Sequence, residues 1–204
     1  MRTITRTSST VAIALIAASF FTGCKKEETA KEPAPAQPPA QQVAAPAPSQ
    51  ATGSYDFESG AAGWIPSTKG VTVATSTEQK HNGQESLKVS GTSADVWNFA
   101  SSPKFDIEAG KKYKISCWMY IDSWDKAAFP PLVKYGVYQD NKFASNAFTA
   151  KYDMTKVKQW QQIGTIFTAP KDGKINGYLS IEKGTKDPIT ATIYLDDVKV
   201  VAAQ

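Results

Sequence analysis

The segment from Lys112 to Ile121 places two large aromatic rings on a polar face. Its residues alternate, so that one face carries apolar side chains and the other carries Lys114, Ser116, Trp118 and Tyr120. A pyranose presents C–H groups of slight positive charge, and an aromatic ring presents a flat, negative face of matching size. We therefore predict that Trp118 and Tyr120 stay open to water and stack on a sugar.

Two residues of later segments fit the same chemistry. Tyr138 shares a face with Lys134 in an alternating segment whose other face is apolar. Glu182 points away from Leu179 and Ile181, so its carboxylate can accept hydrogen bonds from sugar hydroxyls. Since binding sites add a few polar groups to apolar walls, we predict that Tyr138 and Glu182 contribute to the site.

Other aromatic residues of the chain divide into candidates for binding and residues with a structural role. Trp97 stands in a polar stretch, and we predict that it binds sugar. Trp124 and Phe129 fall in a predicted loop, where rings are often exposed for binding. A single tryptophan of a β-protein also often fills the core or an edge, and we assign this structural role to Trp64 and Trp160.

The charged residues exclude several functions. Arginine, whose guanidinium grips phosphate and carboxylate with two parallel hydrogen bonds, occurs only at Arg2 and Arg6. The lysines form no dense basic stripe, which weighs against nucleic acid and other polyanions. The lone His81 argues against a lyase, and nothing in the sequence pairs two carboxylates as a glycoside hydrolase requires. The sequence predicts no enzyme.

The elements that hold these side chains are predicted to be β-strands. Alternating segments are separated by turn signals such as His81-Asn82-Gly83, a pattern typical of a sandwich or barrel. Residues 54–204, about 150 in number, suffice for a single domain with a sizeable core. Cys117 lies on the apolar face of its segment, which predicts a buried, unreactive thiol.

Six pieces of this domain, in this order, resemble carbohydrate-binding modules of the family 4, 9 and 22 group, which are galactose-binding-like jelly rolls. The pieces are Tyr55-Asp56-Phe57-Glu58 with Gly63-Trp64, His81 to Gly91, Trp97, Ile107 to Met119, Trp160 to Pro170, and Ile193 to Val200. The resemblance implies an all-β fold, a jelly-roll β-sandwich of two antiparallel sheets, and sugar binding without catalysis. Trp97 matches the tryptophan that stacks on sugar in the family pattern.

The same resemblance implies a structural calcium ion. Glu58 and Asp196 match carboxylates that hold calcium in similar modules, and calcium takes six to eight oxygen ligands. The turn at His81 could supply carbonyl oxygens, and Asp56 or Asp197 a further carboxylate. Strand alternation predicts that Asp196 and Asp197 face opposite sides, so that one of them points at the ion. In the alternative, these acids are solvated or pair with lysines.

The N-terminal residues have the pattern of an export signal. A cationic start and a short apolar run lead to Gly23-Cys24, a junction that resembles the lipobox of bacterial lipoproteins. The resemblance implies a signal peptide over residues 1–23 and acylation of Cys24. Residues 24–53 are rich in proline and alanine, which predicts a disordered linker. We expect lipid anchoring to the bacterial cell envelope at the outer membrane, facing the periplasm or the cell surface.

These observations predict a membrane-anchored lipoprotein that binds a neutral poly- or oligosaccharide through stacked aromatic rings. The partners expected are a glycan and, through the lipid alone, a membrane, but not nucleic acid. The alternative is a protein-binding scaffold or accessory subunit of an envelope complex, in which the same rings would form a hydrophobic hot spot.

Overall fold

The computed structural model describes residues 51–203, with side chains from residue 53 onward. This part of the chain holds twelve strands and one 3₁₀ turn, Met154–Lys156. The strands are β1 (Ala51–Tyr55), β2 (Ile65–Pro66), β3 (Val71–Ser76), β4 (Ser86–Ser93), β5 (Asn98–Ser101), β6 (Phe105–Ile107), β7 (Lys112–Trp124), β8 (Leu132–Gln139), β9 (Lys142–Phe148), β10 (Gln161–Thr168), β11 (Ile175–Glu182) and β12 (Ile189–Ala202).

The strands form two antiparallel sheets of six strands each. The first sheet has the order β10-β7-β12-β4-β3, with β1 also paired to β12. The second has the order β2-β5-β11-β8-β9, with β6 also paired to β11. The predicted jelly-roll β-sandwich of two antiparallel sheets is confirmed.

The core lies between the sheets because strand alternation sends every second side chain inward. Val133, Tyr135 and Val137 of β8 are buried together with Leu179 and Ile181 of β11. The predicted apolar face of β7 is buried from Tyr113 to Ile121. Burial raises the pKa of the Cys117 thiol to about 12, so the predicted burial of this side chain is confirmed.

A β-bulge interrupts β12 where it pairs with β7. The register shifts between Asp196 and Lys199, and Asp197 adopts a left-handed backbone with φ of 47°. A bulge turns a strand locally and re-aims its side chains. Asp196 and Asp197 consequently line one cavity, and the prediction that they face opposite sides is wrong.

A tight hairpin joins β8 to β9 and fixes the position of the edge strand. Its two central residues, Asp140 and Asn141, have φ of 50° and 64°, as a type I′ turn requires. An Asp140 carboxylate oxygen accepts the backbone N–H of Lys174 at 2.9 Å, which ties the turn to the segment before β11. The hairpin brings Phe143 and Phe148 of β9 beside β8.

In residues 51–203, no helix is long and apolar enough to cross a membrane. The predicted signal peptide over residues 1–23 and the acylated Cys24 lie outside the described residues, as does all but the end of the predicted linker. β1 begins at Ala51, before the predicted domain start at residue 54.

Candidate functional site

The outer face of the second sheet carries a cavity of about 320 Å³ between two exposed aromatic side chains. Trp97, just before β5, is 42% exposed, and Phe148, at the end of β9, is 46% exposed. The cavity, named the Trp97 pocket below, is lined by Trp97, Lys134, Asn146, Phe148 and Glu182.

Strand pairing places these side chains on one face. Phe148 pairs with Lys134 across β9 and β8, and Lys134 pairs with Ser180 of β11. At the next position on this face of β11, Glu182 pairs with Asn98 of β5. Directly paired residues of antiparallel strands project from the same side of a sheet, so the polar groups form a floor between the aromatic residues.

Hydrogen bonds hold Trp97 in place. A carboxylate oxygen of Asp95 accepts the backbone N–H groups of Trp97 at 2.8 Å and of Asn98 at 2.6 Å. The Trp97 carbonyl accepts the backbone N–H of Lys183 at 2.9 Å. The Lys183 ammonium is fully buried and donates to the carbonyls of Ser93 at 3.2 Å and Asp187 at 2.7 Å. This ammonium joins the end of β4 to the loop after β11.

Burial lowers the pKa of Lys183 because it removes the ammonium from water. The two carbonyl acceptors compensate part of that cost, as buried charged donors require.

The floor of the Trp97 pocket is polar but electrically balanced. Lys134 Nζ lies 2.7 Å from Glu182 Oε2, and their side chains are only 10% and 13% exposed. Asn98 Oδ1 and Ser180 Oγ are buried on this face and have no hydrogen-bond partner in the described part of the chain. Buried polar groups without partners are rare and costly, and these two lie beneath the residues that line the cavity.

A second cavity of about 380 Å³ lies on the same sheet. This Lys104 pocket is lined by Ile65, Ser101, Ser102, Pro103, Lys104 and Tyr178. Lys104 Nζ lies 4.5 Å from the ring centroid of Tyr138, and the Tyr138 and Tyr178 ring centroids are 6.0 Å apart. Tyr138, which the sequence placed in the site, therefore belongs to this half of the face.

Gly136 of β8 separates the two pockets. A Cβ atom at this position would lie 3.7 Å from Asn146 Oδ1 and 3.8 Å from both the Tyr138 and Tyr178 rings. The absence of a side chain leaves the floor open between the Trp97 pocket and the Lys104 pocket.

Trp118 and Tyr120 do not lie on this face. They project from the outer side of the first sheet, because β7 belongs to that sheet. The His81 ring stacks on Trp118 with centroids 3.8 Å apart, and Tyr120 is only 9% exposed. The expectation that Trp118 and Tyr120 form an open platform in one site with Trp97 is therefore wrong, because the two groups lie on different sheets.

The remaining aromatic predictions have mixed outcomes. Trp64 is buried, as predicted, and Trp160 packs near Tyr120 with ring centroids 5.6 Å apart. Trp124 lies at the end of β7 rather than in a loop, where it packs on Phe99 and donates its indole N–H to the Lys126 carbonyl at 3.0 Å. Phe129 is exposed.

Sequence reasoning did not find Phe148, Phe143 or Asn146. The available signal was Gln139-Asp140-Asn141-Lys142, a turn pattern that predicts a hairpin and hence a strand beside Tyr138 and Lys134. Aromatic residues in that strand were candidates for the face that Tyr138 occupies.

The predicted calcium ligands meet at a separate cavity of about 150 Å³. It is lined by Asp56, Glu58, Asn82, Gly83, Asp196 and Asp197. Glu58 Oε1 accepts the backbone N–H of Gln84 at 2.9 Å, and Asp196 Oδ2 accepts that of Asn82 at 3.0 Å. The turn at His81 thus presents backbone N–H groups to both acids.

The donor chemistry of this cavity suits a hard cation, although no three acidic, histidine or cysteine side chains converge as ligands within residues 51–203. Of the four carboxylates, Asp197 is paired to Lys199 Nζ at 3.1 Å and to His81 Nδ1 at 3.3 Å. The other three have no ion pair in the described part of the chain. The cavity is therefore oxygen-rich and negatively charged.

Comparisons with known proteins agree with this fold. A family model described as a carbohydrate binding domain matches residues 50–188. Endo-1,4-beta-xylanase A of Thermotoga neapolitana is 28% identical over 150 residues, which are 71% of this chain and 13% of the xylanase. The chain thus spans a small part of that relative's length.

Two solved structures share the fold at 19% identity. The CBM22-1 xylan-binding domain from a Paenibacillus barcinonensis xylanase gives a TM-score of 0.55, covering 76% of this chain and 96% of that domain. The CBM22-1 and GH10 modules of Clostridium thermocellum xylanase 10B, complexed with xylohexaose, give a TM-score of 0.57 over 76% of this chain and 29% of that chain.

Proposed function

Because the chain belongs to the carbohydrate-binding domain family, as a module of the 4, 9 and 22 type, we propose that it binds a polysaccharide non-catalytically on the outer face of the second sheet. The observation that carries this proposal is the Trp97 pocket, in which exposed rings of Trp97 and Phe148 flank a charge-balanced polar floor. A sugar ring needs this combination of apolar walls and hydrogen-bonding groups.

Binding in the Trp97 pocket combines stacking on the aromatic rings with hydrogen bonds to the polar floor. The C–H face of a sugar packs on the indole of Trp97, which removes apolar surface from water. Sugar hydroxyls bond to Glu182, Lys134 and Asn146, which line this cavity. Since the Asp95 and Lys183 hydrogen bonds already fix the Trp97 loop, little conformational entropy is lost on binding.

The chemistry of the face favours a sugar over a protein partner. Trp97 and Phe148 border a cavity with a polar floor, whereas a protein hot spot is a centrally packed pocket ringed by neutral contacts. A neutral glycan backbone suits the Lys134–Glu182 pair, because this ion pair carries no net charge. The xylan-binding domain and the xylohexaose complex with the same fold support β-1,4-linked xylan as the first ligand to test.

Affinity electrophoresis in gels that contain soluble polysaccharide tests the proposed function. We expect retardation by at least one neutral glycan in a panel of xylans, β-glucans, mannans and α-glucans, without release of reducing sugar. Migration unchanged by every member of the panel would contradict the proposal. Release of reducing ends would contradict its non-catalytic part.

We also propose that the acidic cavity binds a structural calcium ion through Glu58 and Asp196, with Asp56 and Asp197 adding negative charge. The proposal is supported by the oxygen-only donor set and by the charge that Lys199 leaves uncompensated. An ion bound there would connect the segment after β1, the turn at His81 and strand β12.

Removal of calcium with a chelator should lower the Tm by several degrees, because ligand that binds only the folded state stabilises it. Asp196→Asn should abolish this calcium dependence, whereas the exposed control Glu108→Gln should retain it. Thermal unfolding with and without calcium measures both effects. A Tm that ignores calcium, together with no calcium uptake by calorimetry, would disprove the proposal.

A further inference from the structure

The Lys104 pocket differs from the Trp97 pocket in its charge. Lys104 is the only charged residue that lines it, beside the hydroxyls of Ser101, Ser102 and Tyr178. None of the ion pairs in the described part of the chain includes Lys104. In the Trp97 pocket, by contrast, Glu182 neutralises the lining Lys134 at 2.7 Å, and a further cation, Lys186, lies over the Trp97 ring with its Nζ 5.6 Å from the ring centroid.

The Trp97 pocket and the Lys104 pocket together are called the groove below. An aromatic ring holds the Lys104 ammonium at the surface of this groove. Its nitrogen lies 4.5 Å from the Tyr138 ring centroid, within the range of a cation–π contact. Such a contact orients the ammonium without cancelling its charge. The nearby Asp106 is instead 3.6 Å from Lys174 Nζ.

Neutral hydrogen-bonding groups surround this cation. Burial raises the pKa of Tyr178 to about 12, so its phenol stays protonated and does not repel an anion. Asn176 pairs with Tyr138 across β11 and β8 and is 9% exposed. Its side-chain oxygen is buried and has no hydrogen-bond partner within residues 51–203.

We infer that the Lys104 pocket receives a carboxylate-bearing sugar, a hexuronate, that is attached to the neutral glycan bound in the Trp97 pocket. This inference rests on the proposed function. Lys134 and Tyr138 are four positions apart on β8, about 13 Å along a strand, so an oligosaccharide reaches both pockets. One lysine suits a sparse acidic substituent, in agreement with the absence of a dense basic stripe.

Isothermal titration calorimetry with two matched probes tests the inference: xylohexaose, and a xylo-oligosaccharide of similar length that carries one 4-O-methylglucuronate. The acidic probe should bind about fivefold more tightly at low salt, the upper range for an exposed ion pair. The advantage should shrink at about 0.2 M salt, because salt screens exposed charges.

Variants of the lysine separate its charge from other effects. Lys104→Gln should remove the preference for the acidic probe and leave xylohexaose affinity within about twofold, and Lys104→Glu should reverse the preference. Lys114→Gln, on the first sheet, removes the same charge elsewhere and should keep the preference.

Equal affinity of the two probes for the unaltered protein would overturn the inference while the proposed function stands. A preference that survives in Lys104→Gln would also overturn it. Binding of neither probe would contradict this inference and the proposal of xylan as ligand together.

Discussion

Trp97 combines exposure with a rigid backbone. Asp95 accepts two N–H groups in its turn, and the buried Lys183 closes the neighbouring loop. The indole at the end of this fixed loop is 42% exposed, and the group over its ring is a flexible lysine, Lys186, with Nζ 5.6 Å from the centroid. Trp118, in contrast, already has the His81 ring on one face.

Replacement of Trp97 by alanine should weaken glycan binding roughly tenfold or more, because it removes a stacking surface. Its stability should fall by about 1 kcal/mol or less, since the side chain is 42% exposed and lies outside the core. Calorimetry with the polysaccharide that retards the unaltered protein measures the affinity, and thermal unfolding measures the stability.

Trp118→Ala is the matched control on the opposite sheet. It should retain affinity within about twofold while it loses some stability through the broken His81 stack. A loss of affinity in Trp118→Ala equal to that in Trp97→Ala would move the binding site to the first sheet.

Among the elements, β8 contributes Lys134 to the Trp97 pocket and places Tyr138 beside Lys104 of the other pocket. Its inward residues are core, and its outward residues Lys134, Gly136 and Tyr138 face the groove. Gly136 has an ordinary strand backbone, since it is absent from the positions with positive φ. Both the backbone and the surroundings therefore allow a side chain at this position, where a Cβ atom would meet its neighbours at 3.7 to 3.8 Å, but that side chain would cover the floor between the pockets.

Gly136→Val should reduce glycan affinity roughly tenfold or more, because the branched side chain would fill the floor between Asn146 and Tyr178. The free energy of unfolding should stay equal or rise by about 0.5 kcal/mol, because glycine weakens strand interiors. Calorimetry and urea unfolding measure the two effects.

Ala74→Val, an exposed change to valine in β3 of the first sheet, is the control and should leave affinity unaltered. If Gly136→Val binds as well as the unaltered protein, the groove does not run across β8.

Strand alternation predicts which side chains share a face but not which sheet a strand joins. For β8, alternation alone predicted the site correctly, because Tyr138 and Lys134 lie on the groove face. For β7 the outward face was right, yet Trp118 and Tyr120 lie on the first sheet, since sheet membership depends on long-range pairing. The bulge at Asp197 breaks the alternation itself, so no period in the sequence could place both acids at one cavity.

At the scale of the whole molecule, the predicted lipid anchor and the sugar-binding domain have separate tasks. A proline-rich linker of the length predicted here reaches on the order of 90 Å when extended, so that the domain can search for glycan away from a membrane. Two or more acyl chains on Cys24 would hold the protein to the membrane stably.

Cys24→Ala should release the protein from membranes and leave its glycan affinity unchanged, because the residues that line the two pockets all lie in the folded domain, from Ile65 onward. Fractionation of cells followed by calorimetry on the released protein measures both. A variant that stays in the membrane fraction would contradict lipid anchoring at Cys24.

Strand β1 enters the sandwich beside β12, in the sheet that does not carry the groove. A chain anchored through its N-terminal end, as predicted, would be attached at the first sheet, whereas the proposed ligand would bind on the second sheet. A long polysaccharide could then lie across Trp97 and Lys104 without meeting the attached end of the chain. We therefore expect the affinity to be the same for long glycans as for short ones that fill the groove.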